Sequence, residues 1–121
     1  MSENILIIKS TNITPEISVD YDEKYAKFEG KSIPEDAYDF YFNITQKLKS
    51  VSDLTLEIYF EYLNSASLRF ITFSISSELN LKKVIWKYDK DDSDIEEKGR
   101  LIKDIMNKEN PNVEFDVIEI V

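Results

Sequence analysis

The chain has 121 residues, 42% of them hydrophobic, with only 2 glycines and 3 prolines. That is enough apolar material for one core, and it excludes collagen-like and low-complexity chains. The 24 acidic and 15 basic residues give a net charge of −9, which argues against nucleic acid and membrane surfaces as partners. Cysteine and histidine are both absent, which removes disulfides, thiol nucleophiles, the commonest general base and the commonest transition-metal ligand.

The first apolar run, Ile5 to Ile8, has no basic residues ahead of it. It is too short for a signal peptide or a membrane span, so the expected location is cytoplasmic. Ile5 to Lys9 reads as a strand, and Ser10 to Pro15 is a polar break. Glu16 to Asp20 alternates, Tyr21 to Glu23 is turn-like, and Lys24 to Glu29 is extended again. The last two runs predict an antiparallel hairpin.

Gly30 interrupts that pattern. Ser32-Ile33-Pro34-Glu35 has the form of a capping box, with Ser32 as N-cap and Glu35 three residues on. Ala37, Phe40, Tyr41, Ile44 and Leu48 follow at helical spacing, so a first helix is expected over about 33–50. Leu54 to Tyr62 is the clearest strand. Its even-numbered residues, Leu54 to Tyr62, share one face, and Thr55, Glu57, Tyr59 and Glu61 share the other.

Asn64 and Ser65 are good N-cap types, and Leu68, Ile71, Ile75 and Leu79 mark the buried stripe of a second helix. Lys83 to Tyr88 is a strand with Val84, Trp86 and Tyr88 on one side. The acidic segment Asp89 to Glu97 leads into a third helix with Ile95, Gly99, Ile102 and Met106 on its inner stripe. Asn110-Pro111 stops it, and Val113 to Ile120 closes the chain as a strand.

The second half therefore alternates strand, helix, strand, helix, strand, the pattern of parallel neighbours joined by right-handed crossovers. With the hairpin added, the expectation is a two-layer α/β domain over residues 1–121. Its sheet is mixed, and its three main helices lie largely on one face. The strands alternate rather than running continuously apolar, so the other face should be at least partly open.

No motif of a hydrolase, metalloprotease or P-loop protein occurs. Carboxylates on alternating polar faces lack the burial that would split their acidities, so a small carboxylate-dependent enzyme needs a deep pocket with at least two buried Asp or Glu. The run Asp89 to Asp94 fails as a calcium loop: Asp94 stands where glycine is required, and Arg100 where the closing glutamate belongs. Those acidic residues complement the start of the third helix instead. Tyr38 and Phe42 fit the first helix's core stripe poorly and are expected at the surface.

The segment Tyr62-Leu63-Asn64-Ser65-Ala66-Ser67 sits where the most regular strand meets a helix N-terminus. Control sites gather at such carboxyl ends. Asn64 or Ser65 is either a plain N-cap, or Ser65 is a phosphoacceptor whose added charge would meet free amides and alter a docking surface.

These residues carry a resemblance. Thr14-Pro15-Glu16, Gly30-Lys31-Ser32-Ile33-Pro34-Glu35-Asp36-Ala37, Glu61-Tyr62-Leu63-Asn64-Ser65-Ala66-Ser67, Val84-Ile85-Trp86-Lys87-Tyr88 and Phe115-Asp116-Val117-Ile118-Glu119-Ile120 run in order through nearly the whole chain. As an ordered set they resemble the SiaC-like regulatory phosphoproteins of bacteria.

The resemblance implies a fold similar to anti-sigma factor antagonists and a non-enzymatic, partner-switching role without a cofactor or metal. It implies a Ser/Thr protein kinase that phosphorylates Ser65, with Ser67 as fallback, and a PP2C-type phosphatase that reverses this. It also implies a diguanylate cyclase that the unphosphorylated form binds and activates. The expected partner-binding residues are Tyr62, Asn64, Ser65, Ser67 and Leu68. Many relatives carry Thr at the Ser65 position and a second hydroxyl at the Ala66 position. The alternative within the class is an anti-sigma factor antagonist that binds an anti-sigma kinase.

Overall fold

The structure, a computed structural model, describes residues 4–121. The elements are, in order, β1 (Ile5–Ile8), β2 (Glu16–Asp20), β3 (Tyr25–Ser32), α1 (Ala37–Leu48), β4 (Leu54–Leu63), α2 (Ser65–Phe73), β5 (Leu81–Asp89), α3 (Ser93–Glu109) and β6 (Glu114–Ile120). A π-helical turn, Ser74–Glu78, extends α2. The six strands lie side by side in chain order. The β1–β2 and β2–β3 pairs are antiparallel, and β3–β4, β4–β5 and β5–β6 are parallel. This is the mixed two-layer α/β sheet that the alternation of elements predicts.

Right-handed crossovers between successive parallel neighbours put α1, α2 and α3 over the same face. Under them lie Ala26 and Phe28 of β3, Leu54, Leu56, Ile58 and Phe60 of β4, and Val84 and Trp86 of β5, all buried. The third helix presents the expected stripe of Ile95, Gly99, Ile102 and Met106. Gly99 is required by closeness: a Cβ there would stand 2.3 Å from Cδ1 of the fully buried Trp86. The indole is fixed in turn, because its Nε1–H donates to the Ile95 carbonyl at 2.9 Å.

Local structure departs from expectation around both ends of β4 and at the two helices beside it. The first helix starts later than expected, at Ala37, and Asp36 is its N-cap, accepting from the Asp39 amide. Ser32 caps nothing. Parallel pairing carries β3 through Ser32, opposite Leu63, and buries it. The second helix buries Ser67, Ile71 and Ile75, while Leu68 and Leu79 pack at the core's edge half-buried. Its widened last turn follows from hydroxyls that bond back along the helix: Thr72 Oγ1 to the Leu68 carbonyl at 2.6 Å and Ser76 Oγ to the Thr72 carbonyl at 2.8 Å.

Tyr62, expected on the core face, is not there. The β3–β4 register runs evenly to Gly30 opposite Phe60, then jumps to Lys31 opposite Tyr62, so Glu61 is surplus in β4. Such a bulge reverses the side-chain alternation beyond it. Tyr62 leaves the core face and is 53% exposed, and Leu63 takes the buried place at 2%. Gly30, across from the bulge, has φ +119°, a backbone conformation that suits glycine.

The face away from the helices is open, as expected. Cross-strand charge holds its centre. Glu57, buried at its centre, takes Lys87 Nζ at 3.1 Å, Lys27 Nζ at 3.6 Å and the Tyr25 hydroxyl. Burial alone would push the Glu57 carboxyl up, but the Tyr25 hydrogen bond and the two ammonium groups outweigh it and hold it below its ordinary value.

Candidate functional site

The candidate site is the turn from β4 into α2. Asn64 leaves the strand with extended backbone and caps the helix, its Oδ1 accepting from the Ser67 amide at 2.8 Å. Its own amide donates to the Ser32 carbonyl at 3.0 Å, which ties the cap to the end of β3. Of the two cap types in the sequence, Asn64 therefore does the capping. Ser65 becomes the first helical residue, with an exposed side chain. Among the described residues its hydroxyl is engaged by no hydrogen bond.

Ser67 is placed differently. It is fully buried, and its Oγ accepts from Ser32 Oγ at 2.9 Å. Ser32 Oγ in turn meets the hydroxyl of Tyr41 from α1. Burial pushes the Tyr41 phenol well above its usual range, against the smaller opposing pull of the two serines, so it stays protonated. A chain of three buried hydroxyls thus joins α1, β3 and the first turn of α2. Of the two expected acceptors, Ser67 is therefore the buried one and Ser65 the exposed one. In the sequence this chain leaves no trace beyond the polar residues at positions 32 and 67.

The other expected partner-binding residues divide. Tyr62 pairs with Lys31 and so shares the open sheet face at the strand's end. Leu68 lies half-buried against the core. The residues that do succeed Ser65 along α2 are Arg69 and Phe73, both exposed, at four-residue spacing.

Beside them α1 presents Tyr38 and Phe42, the two aromatics that the helical pattern left over. Tyr38 stacks on Phe42 at 5.8 Å between ring centroids and meets Phe70 edge-on at 5.4 Å. With Phe73 they line a small groove between α1 and α2, together with Thr45 and Ser74, whose hydroxyls are 2.8 Å apart. Tyr38 and Phe73 are 54% and 55% exposed. Aromatic side chains and arginine on one exposed face are the residue types that dominate protein–protein contacts.

A shallow pocket at the ends of β2, β3, β4 and β5 gathers Glu16, Glu29, Glu61 and Asp89, all exposed. Among the described residues Glu57 is the one buried carboxylate, and it is paired with two lysines. The two-carboxylate pocket that an enzyme reading required is not found among them. The acidic segment before α3 acts as expected: Asp92 caps the helix, and Asp94 and Glu96 occupy its first turn. No helix among the described residues is long and apolar enough to cross a membrane.

Comparison with known proteins bears on the family and the fold. The family model of the SiaC family regulatory phosphoproteins matches residues 8–120. No curated protein matches the chain. Among solved structures, SiaC of Pseudomonas aeruginosa superposes with a TM-score of 0.76 at 20% identity, covering 99% of this chain and 100% of that one. SiaC crystallised as the activator in complex with the diguanylate cyclase SiaD, also from Pseudomonas aeruginosa, gives 0.78 at 18% identity, covering 95% and 99%. At these identities the superpositions establish the fold, while the family match spans almost the whole sequence. The chain belongs to the SiaC family of regulatory phosphoproteins.

Proposed function

We propose that this protein is a cytoplasmic, non-enzymatic switch whose unphosphorylated form binds and activates a diguanylate cyclase, and that phosphorylation of Ser65 ends the interaction. The observation that carries this reading is the contrast inside one turn: Ser65 is exposed and unengaged, and Ser67 is sealed. The family's character as regulatory phosphoproteins and the cyclase complex of its Pseudomonas aeruginosa relative support it.

A Ser/Thr kinase moves the γ-phosphoryl group of ATP onto Ser65 Oγ. The bond to ADP breaks and the hydroxyl proton leaves. A PP2C-type phosphatase returns the serine by hydrolysis. The phosphate adds nearly two negative charges. At the start of α2 it meets first-turn amides and gains about 0.3–1 kcal/mol from the helix end. The larger effect falls on the partner, which docks on Ser65, Arg69 and Phe73 of α2 and Tyr38 and Phe42 of α1. A charge inserted there is desolvated and repelled.

Capture of the cyclase by wild type, Ser65→Ala and Ser65→Asp tests the reading, with cyclic di-GMP production as the second readout. The alanine variant is expected to bind and activate like wild type. The aspartate variant is expected to lose at least about tenfold in affinity. Equal binding by all three would remove Ser65 from control.

A further inference from the structure

We infer that Arg69 is the intramolecular receptor of the Ser65 phosphate, so that modification also withdraws a cation from the docking face; this rests on Ser65 being the acceptor. Residues four apart on a helix lie one above the other, about 5–6 Å between Cβ atoms. Ser65 and Arg69 have that spacing in α2, and both are exposed. A guanidinium at that distance reaches a phosphate and gives it two parallel charge-assisted bonds.

Arg69 is also uncommitted. The other arginine of the chain, Arg100, is held by Glu96 through two hydrogen bonds of 3.0 and 2.8 Å. Arg69 makes no ion pair or hydrogen bond among the described residues. On a protein with 24 acidic residues this is a consequence of local sequence. Three and four positions to either side of Arg69 stand Ser65, Ala66, Thr72 and Phe73, none of them acidic. The first turn of α2 holds no carboxylate, whereas α1 has Asp39 and α3 has Asp94 and Glu96. The only anion that can arise on this stripe is the phosphate itself. Before modification the guanidinium is exposed, makes no ion pair and is free to meet a partner. After modification it folds back by one turn.

The test uses the intact protein with phosphoserine installed at position 65 by genetic encoding. Phosphorus NMR tracks the second ionisation of the phosphate. In wild type its midpoint is expected about half a pH unit below the ordinary value near 6. The displacement should shrink in about 1 M salt. Arg69→Gln should reduce it to the part that the helix end supplies, and Arg69→Lys should retain more, since a lysine offers a point charge and no fork. Superimposable titrations of the wild-type and Arg69→Gln phosphoproteins would overturn the inference and leave the switch intact. Full-strength cyclase binding by the wild-type phosphoprotein would instead defeat the switch and leave the pairing standing.

Discussion

The two faces of this molecule deal with water in different ways. The centre of the bare sheet face is held by charge, Glu57 with Lys27 and Lys87, and Lys83 with Glu114 at 3.1 Å and Asp116 at 3.5 Å, while its exposed apolar residues, Ile5, Ile7, Tyr62 and Ile118, are spread among the strands around it. The helical face, which already shields the core, leaves Tyr38, Phe42 and Phe73 exposed around a groove that no ion pair among the described residues crosses. At the centre of the sheet face charge takes the place of a covering layer, whereas on the helical face three exposed aromatics gather around one groove. Surplus apolar surface that the fold does not use is surface available to a partner.

Four changes would break or sharpen that contrast. The largest effect is expected inside the helical layer. Gly99→Ala drives a methyl group into Trp86, and denaturant unfolding should report a loss of about 3 kcal/mol. Next comes the aromatic rim. Replacing Tyr38 and Phe73 together by Ala should weaken cyclase binding by about 2 kcal/mol, roughly thirtyfold in titration calorimetry. Folding stability should move by less than about 0.5 kcal/mol, because both rings are surface residues. The reverse result, lost stability with intact binding, would make the rim part of the core.

The third effect is on the bare face. Glu57→Gln should cost about 1 kcal/mol at neutral pH, since water screens the pairs around it. Its signature is the pH profile. The Glu57 carboxyl is more acidic folded than unfolded. Its contribution is therefore complete above the unfolded value of about 4.3 and drains away as pH falls through the lower folded value. Tyr25 acts at the other limit. Burial and the Glu57 carboxylate push its phenol up to about 12. That contribution is complete below about pH 10 and is lost as pH rises through the folded value. Stability of the Gln variant measured across both limits should be flatter than wild type at each. The smallest effect belongs to Lys83→Ala at the rim of the same face, where no measurable change in the melting midpoint is expected.

Periodicity made the architecture legible, because burial on one face writes itself into alternation in strands and three-to-four spacing in helices. The strand cores, the stripe of α3 and the stray aromatics Tyr38 and Phe42 were all readable in this way. The features that escaped were decided between elements. Ser32 has every local mark of a helix cap, yet pairing with β4 claims it for the sheet. Ser67 looks as available as Ser65 from its neighbours in sequence. The hydroxyls of Ser32 and Tyr41, which reach it from elsewhere in the fold, mark it as interior. The turn from β4 into α2 was legible, and the difference in burial between its two serines was not.

The surplus residue at Glu61 has a consequence for how the strand hands over to α2. In an unbroken strand, parity decides every outlook: two residues on from a core position is another core position. Counting one extra just before the turn uncouples Asn64 and Ser65 from that rule. Deleting Glu61 would leave Tyr62 opposite Lys31 and Leu63 opposite Ser32 as they are, whereas inserting one residue after Gly30, opposite Glu61, would restore the parity, drive Tyr62 inward, expel Leu63 and rotate the start of α2 about the strand axis. A single codon gained in β3 would then turn the proposed switch serine away from its present outlook.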